Sequence, residues 1–199
     1  MIELSVVQRS PEWFKARCGI PTSSGFDKIL TTKGERSKQA EKYMYQLAVE
    51  RITGIKRESY QNFEMQQGIE REPEARSFYE LVKNCKIKEA GICYLDKRKR
   101  FSASPDGFVG SDGLIEIKCP IDSTQVSYLL NGGLETDYFQ QAQGQLFITG
   151  RKWCDLISYF PGIKPLIIRV KQDKEFIKKL EKALYWFCAE LDRVVAKIK

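Results

Sequence analysis

Histidine is absent from this chain of 199 residues. No imidazole is therefore available for acid/base chemistry or for a zinc centre, where it is a leading nitrogen donor. The six cysteines (Cys18, Cys85, Cys93, Cys119, Cys154 and Cys188) form no C-x-x-C pair, which removes the paired-thiolate zinc and redox motifs. Scattered thiols fit a reducing cytosol, and the expected location is cytoplasmic. No apolar run reaches the roughly 20 residues that cross a bilayer. The opening MIELSVVQRS carries acidic and polar residues where a secretory signal would be apolar. Membrane partners are not expected, and no internal repeat or low-complexity tract is visible.

What is present suits one domain over residues 1–199, with 42% hydrophobic residues to build its core. Thirty-three basic against 26 acidic residues leave a net charge of +7 and a pI near 9.0. That balance favours a polyanionic partner.

The most informative stretch is Ser104–Pro120, SPDGFVGSDGLIEIKCP. Ser111-Asp112-Gly113 signals a tight turn, with Asp-Gly expected to supply the positive φ. Leu114–Lys118 alternates and is rich in β-branched residues, so it reads as a strand. On a strand Glu116 and Lys118 face one way, and Ile115 and Ile117 the other. The turn folds Asp106 back towards that pair. Two carboxylates and an ammonium converging there suit phosphodiester hydrolysis. Asp106 and Glu116 offer hard oxygens that select Mg²⁺ or Mn²⁺, and the carbonyl of Ile117 could complete the set. An exposed E-x-K strand pair next to a common Asp-Gly turn is the plainer alternative.

Earlier in the chain, Ser10-Pro11-Glu12 reads as a helix start. Arg17 lies four residues beyond Trp13, on the same side. Thr22-Ser23-Ser24 opens a second helix, and Arg17 beside that hydroxyl-rich start would make a phosphate pocket; an ordinary helix cap beside a surface Arg is the plainer alternative. Lys33–Lys38 reads as a mobile basic loop. Gln39–Thr53 is a helix ending at Gly54. Phe63–Val82 is another, with Glu72 inside the apolar stripe of Ile69, Ala75, Tyr79 and Val82. An unpaired carboxylate there is costly, so Glu72 either serves a site or pairs with Arg76. Pro73 could kink or restart the helix. Lys86–Leu95 and Arg100–Ala103 read as strands joined by the basic turn Asp96–Lys99. Ser123–Leu130 and Thr136–Thr149 are expected helices, and Lys152–Phe160 and Leu166–Val170 strands. Asp173–Lys199 is a long amphipathic helix. The order fits an α/β fold with a central mixed sheet flanked by helices.

Pro105-Asp106 followed by Glu116-x-Lys118 resembles the signature of the PD-(D/E)xK nucleases. Within that superfamily the chain is most similar to the phage lambda exonuclease type, the YqaJ-like viral recombinases. R-x-G-x-x-T-x-S is matched by Arg17, Gly19, Thr22 and Ser24, G-x-x-x-E by Gly68 and Glu72, and Y-x-x-Q-x-Q by Tyr138, Gln141 and Gln143. The resemblance implies a restriction-endonuclease-like core. It also implies a Mg²⁺-dependent 5′-to-3′ exonuclease of duplex DNA that leaves 3′ overhangs for strand annealing. Asp106, Glu116 and the Ile117 carbonyl would hold the metal, two ions per site, with Mn²⁺ able to substitute. Lys118, Glu72 and Gln141 would complete the catalytic set, and Arg17, Ser24 and Ser104 would hold DNA phosphate. A homotrimeric ring, a single-strand annealing protein as partner and, for a phage-encoded protein, the cytoplasm of a bacterial host are further implications. An endonuclease or repair nuclease of the same superfamily, or an inactive DNA-binding module, remain open alternatives.

Overall fold

The computed structural model describes residues 1–56 and 63–199. In chain order its elements are β1 (Ile2–Leu4), α1 (Pro11–Arg17), a 3-10 helix (Ser23–Lys28), α2 (Ala40–Thr53) and α3 (Phe63–Lys83). Strands β2 (Ile87–Lys88), β3 (Ile92–Tyr94), β4 (Ser102–Ala103), β5 (Gly107–Val109) and β6 (Gly113–Lys118) follow. The chain continues through α4 (Asp122–Asn131), α5 (Leu134–Asp137), α6 (Phe139–Thr149), β7 (Trp153–Ser158), β8 (Leu166–Lys171) and α7 (Lys174–Ile198). The main sheet has the order β2-β5-β6-β7-β8, and a smaller sheet has the order β1-β3-β4. β6 pairs antiparallel with β5 and parallel with β7, so the main sheet is mixed. Among the described residues no helix is long and apolar enough to cross a membrane.

The alternation in β6 separates two cores. Ile115 and Ile117 pack with Ala75 and Tyr79 of α3 and Ile157 of β7. Leu114 joins the larger core with Leu156, Leu146 of α6 and the buried stripe Leu180, Leu184 and Phe187 of α7. Glu116 and Lys118 therefore emerge on the α6 side, as their spacing requires. Across the sheet, the fully buried Asp155 carboxylate accepts bonds from the Tyr79 hydroxyl (2.7 Å) and from Arg169 (2.7 and 2.8 Å). Removing one partner of such a buried charge typically costs about 3–5 kcal/mol. The network therefore fixes α3, and with it Glu72 and Arg76, against the sheet.

Several local expectations give way to packing. Lys86–Leu95 is not one strand: β2 joins the main sheet and β3 the small one, with Ala90-Gly91 between them. β1 crosses there, and a Cβ on Gly91 would stand 2.0 Å from the Leu4 carbonyl oxygen. The β5–β6 turn takes its positive φ (55°) at Gly110, not at Gly113. Gly113 is small for another reason, since a Cβ there would meet the Trp153 ring at 2.1 Å. α3 runs unbroken through Pro73. The loop at Lys33–Lys38 is tied down: Arg36 stacks over Trp186 at 4.1 Å, and Lys179 bonds the Lys33 carbonyl. The helix expected over Thr136–Thr149 breaks at Tyr138 (φ −113°, ψ 16°) into α5 and α6.

Candidate active site

Asp106 sits where the chain enters β5, its N–H donating to the Ile115 carbonyl (3.1 Å). Its carboxylate turns back over β6 and accepts from the Ile117 N–H at 2.6 Å. Glu116 is buried, with 4% of its surface exposed. Its Oε1 accepts from Lys118 Nζ (2.8 Å) and Gln141 Nε2 (2.5 Å), and its Oε2 from Gln145 Nε2 (2.6 Å). Lys118 Nζ also donates to Gln141 Oε1 (3.2 Å) and lies 4.3 Å above the centre of the Tyr138 ring. The structure thus brings Asp106, Glu116, Lys118 and Gln141 together at one end of the β5–β6 pair.

Burial raises the Asp106 carboxyl well above the usual carboxylate range, and the charge of Glu116 adds to the rise. Burial alone would lower the Lys118 ammonium. Glu116, Tyr138 and Asp106 outweigh it, and the group is held above the ordinary lysine range. Among the described residues no Lys or Arg side chain forms an ion pair with the Asp106 carboxylate. Arg76 bonds its backbone carbonyl instead (2.7 Å).

Glu72 lies beside this group, close enough for its charge to raise Asp106 further. Its ion pair is with Arg9 at 2.5 Å, not with Arg76. Arg9 adopts a left-handed backbone (φ 67°). The preceding residue, Gln8, donates through its side chain to the carbonyls of Ala90 (3.2 Å) and Pro105 (2.9 Å).

Arg17, Ser24 and Ser104 form a second cluster. Arg17 donates to Thr22 Oγ1 (3.1 Å) and Ser24 Oγ (3.2 Å) and stacks 3.9 Å from the centre of the Trp13 ring. Trp13 Nε1 donates to Ser104 Oγ (3.1 Å), which links the two sequence segments. Buried Glu50 shapes the turn between them, accepting from the Gly19 N–H (2.8 Å), while Arg51 Nε bonds the Gly19 carbonyl (2.7 Å). Burial lowers the Arg17 guanidinium to about 10, against the pull of Tyr43, Glu116 and Glu50. Its buried Nε has no hydrogen-bond partner among the described residues. A desolvated cation with an open donor suits an anion.

Gln145, Arg9 and Trp13 escaped the sequence reading as members of these clusters. Gln145 stands one helical turn after Gln141, a spacing that puts both on one face. Arg9 had no comparable signal, because its partner lies 63 positions away.

No three His, Cys, Asp or Glu side chains group to hold a metal ion among the described residues. A metal would need the paired carboxylates of Asp106 and Glu116 together with a main-chain oxygen. The N–H and C=O of one strand residue point to the same side and alternate along the strand. The Ile117 N–H bonds Asp106 while the Lys118 carbonyl bonds Tyr159 on the β7 side. The Ile117 carbonyl therefore points to the Asp106 side. Hard oxygens and a like-charged buried pair fit a divalent cation such as Mg²⁺.

Crystal structures of an alkaline exonuclease (LHK-Exo) from Laribacter hongkongensis are similar over nearly the whole chain. At 34% identity, one covers 95% of this chain and 96% of that one with a TM-score of 0.86. The complex of the same protein with dAMP, also 34% identical, covers 96% of each chain with a TM-score of 0.87. A phage related exonuclease from Haemophilus somnus 129PT shares the fold (TM-score 0.73, 90% and 96% covered) at 15% identity. No curated protein matches. The profile of the YqaJ-like viral recombinase domain matches residues 12–152, and the chain belongs to that family.

Proposed function

We propose that the chain is a metal-dependent exonuclease that hydrolyses duplex DNA from its ends, 5′ to 3′, leaving 3′ single strands for annealing. The observation that carries this reading is the convergence of Asp106, Glu116 and Lys118 at the open end of β5 and β6. The family and its exonuclease relatives support nuclease chemistry, and the dAMP bound by the Laribacter protein is of the product class such an enzyme would release. The charge of Glu116 is felt at Arg17, so an end phosphate held by Arg17, Thr22, Ser24 and Ser104 would lie near the acidic pair.

Asp106, Glu116 and the Ile117 carbonyl would hold Mg²⁺, or Mn²⁺ in its place. When bound, the ion would supply Lewis-acid charge to the phosphate and acidify water. Lys118, already charged, stabilises negative charge growing on the phosphate and is not a general base. Gln141 and Gln145 hold the Glu116 carboxylate in one orientation. The homotrimeric ring, the annealing partner and a cytoplasmic site of action belong to the same proposal and rest on the family.

Two duplexes test the polarity, one labelled at a 5′ end and one at a 3′ end. Early release of the 5′ label alone is expected, and early release of the 3′ label alone would reverse the assignment. Arg17→Ala is expected to cut the preference for 5′-phosphorylated over 5′-hydroxyl ends by about tenfold or more, since a charged hydrogen bond is worth roughly 1.5–3 kcal/mol. Equal losses on both kinds of end would remove Arg17 from the phosphate pocket.

A further inference from the structure

Arg71, next to Glu72 on α3, is a half-buried cation. Its Nη2 donates to the Gln67 side chain one turn earlier (3.2 Å), and its guanidinium lies 4.5 Å from the centre of the Phe160 ring. Among the described residues it forms no ion pair, although acids flank it along the helix. Each of these is engaged elsewhere: Glu70 with Gln66, Glu72 with Arg9 and Glu74 with the Tyr159 hydroxyl. Arginine carries five N–H donors, so a single neutral acceptor leaves most of the fork open. The aromatic face and the bond to Gln67 fix its plane, which prepares it for a bidentate oxygen anion.

The fold brings this cation to the site. Gly68 lets α3 close on the end of β6, where a Cβ would stand 3.0 Å from the Cys119 carbonyl oxygen. Arg71, three positions on, lies on the same side of the helix. Phe160 comes two positions after Ser158, the partner of Lys118 in the β6–β7 register. Arg71 thus stands over the ends of these strands, beyond Lys118. Its charge is felt at Cys119, as are those of Glu72 and Asp106. Arg17 approaches Glu116 from α1 and the 3-10 helix instead. A strand whose end phosphate rests at Arg17 and whose next phosphate meets Asp106 and Glu116 would carry its third phosphate on towards Arg71.

We infer that Arg71 binds a backbone phosphate of the strand being cut, the first one inward of the scissile bond. Arg17 would then hold the end phosphate and Arg71 the phosphate between the second and third nucleotides. Fixing a phosphate on each side of the reacting one orients it for attack. This rests on the exonuclease reading above and adds a point of attachment to it.

Release of the first nucleotide from 5′-phosphorylated duplex, measured over a range of DNA concentrations with the full chain and Mg²⁺, tests the inference. Arg71→Met keeps an unbranched stem over Phe160 and removes the charge, so it should melt at the temperature of the wild type. It is expected to raise KM by about tenfold or more, with kcat little changed, the pattern of lost uniform binding. Arg71→Lys should recover part of the loss, since it restores the charge without the fork. A neutral methylphosphonate between the second and third nucleotides should cost the wild type a similar factor and cost Arg71→Met nothing further. The same group one position further inward should affect both proteins alike. An unchanged KM in Arg71→Met, a wild type indifferent to the first methylphosphonate, or a variant that loses as much to it as the wild type does would each overturn the inference and leave the nuclease reading intact. No release from any duplex by the wild type would overturn the nuclease reading and this inference with it.

Discussion

Asp106→Asn is expected to lower DNA cleavage by about 10³-fold or more, because in the proposed mechanism it would remove a metal ligand and a charge at the reacting centre. Asparagine keeps the size of the side chain, and its amide oxygen can still accept the Ile117 N–H that Asp106 holds at 2.6 Å. Folding and DNA binding should therefore survive. Stability should respond in the opposite direction from activity. Burial, with the charge of Glu116 added, raises the folded-state pKa of Asp106. Between the unfolded value, about 3.9, and that raised value the native protein binds more protons than the unfolded chain. Wild-type stability thus falls as pH rises through this window and stays penalised above it. Asparagine carries no such penalty. The metal-free variant should melt higher than the wild type at alkaline pH, and the difference should vanish below about pH 4. Mg²⁺ should raise the melting temperature of the wild type but not of the variant. Scanning calorimetry at several pH values, with and without Mg²⁺, reads all of this, and cleavage unchanged in the variant would remove Asp106 from the site.

Lys118→Met is expected to slow cleavage by about 10²–10³-fold, the usual cost of losing one preorganised donor to developing charge. Unlike Asp106→Asn, it should also destabilise. Glu116 is buried at 4% exposure and would lose its ion pair, keeping only the amides of Gln141 and Gln145. A hydrogen bond to a charged group is worth about 1.5–3 kcal/mol, and a loss of that order is expected in denaturant melts. The Lys118 pKa is raised, so its stabilisation is fully present below the unfolded value of about 10.4 and fades only as pH climbs through the folded value. Activity should accordingly show no loss attributable to Lys118 deprotonation up to about pH 10. A loss of activity as pH is lowered through neutrality that disappears in the Met variant would mean that Lys118 acts as a base.

The clustering at the centre of the candidate site is legible because it is local. Asp106, Glu116 and Lys118 lie within one turn and two short strands, and the strand period alone sets which of them share a face. Gln141 came from a motif match, not from physics, and its neighbour Gln145 could have been found from the helical repeat. Arg9 could not, since nothing in the letters joins it to Glu72 across 63 positions. Glu72 stands out in the sequence as a carboxylate in an apolar stripe, and it does neighbour Asp106, but its ion-pair partner is Arg9. The elements misjudged were those decided by close approach. Gly91 admits β1 against β3, and Gly113 lies against Trp153. Both depend on a neighbour distant in sequence, which neither propensity nor periodicity reports.

In the proposed mechanism Asp106 and Glu116 would hold a cation that activates water against DNA phosphate at an end. The most direct measurement is the release of nucleotides from linear and from covalently closed circular duplex DNA, with Mg²⁺ and with excess chelator. Release from linear DNA with Mg²⁺ only, and none from closed circles, is the predicted result. Release that survives the chelator, or circles cut as fast as linear DNA, would contradict it.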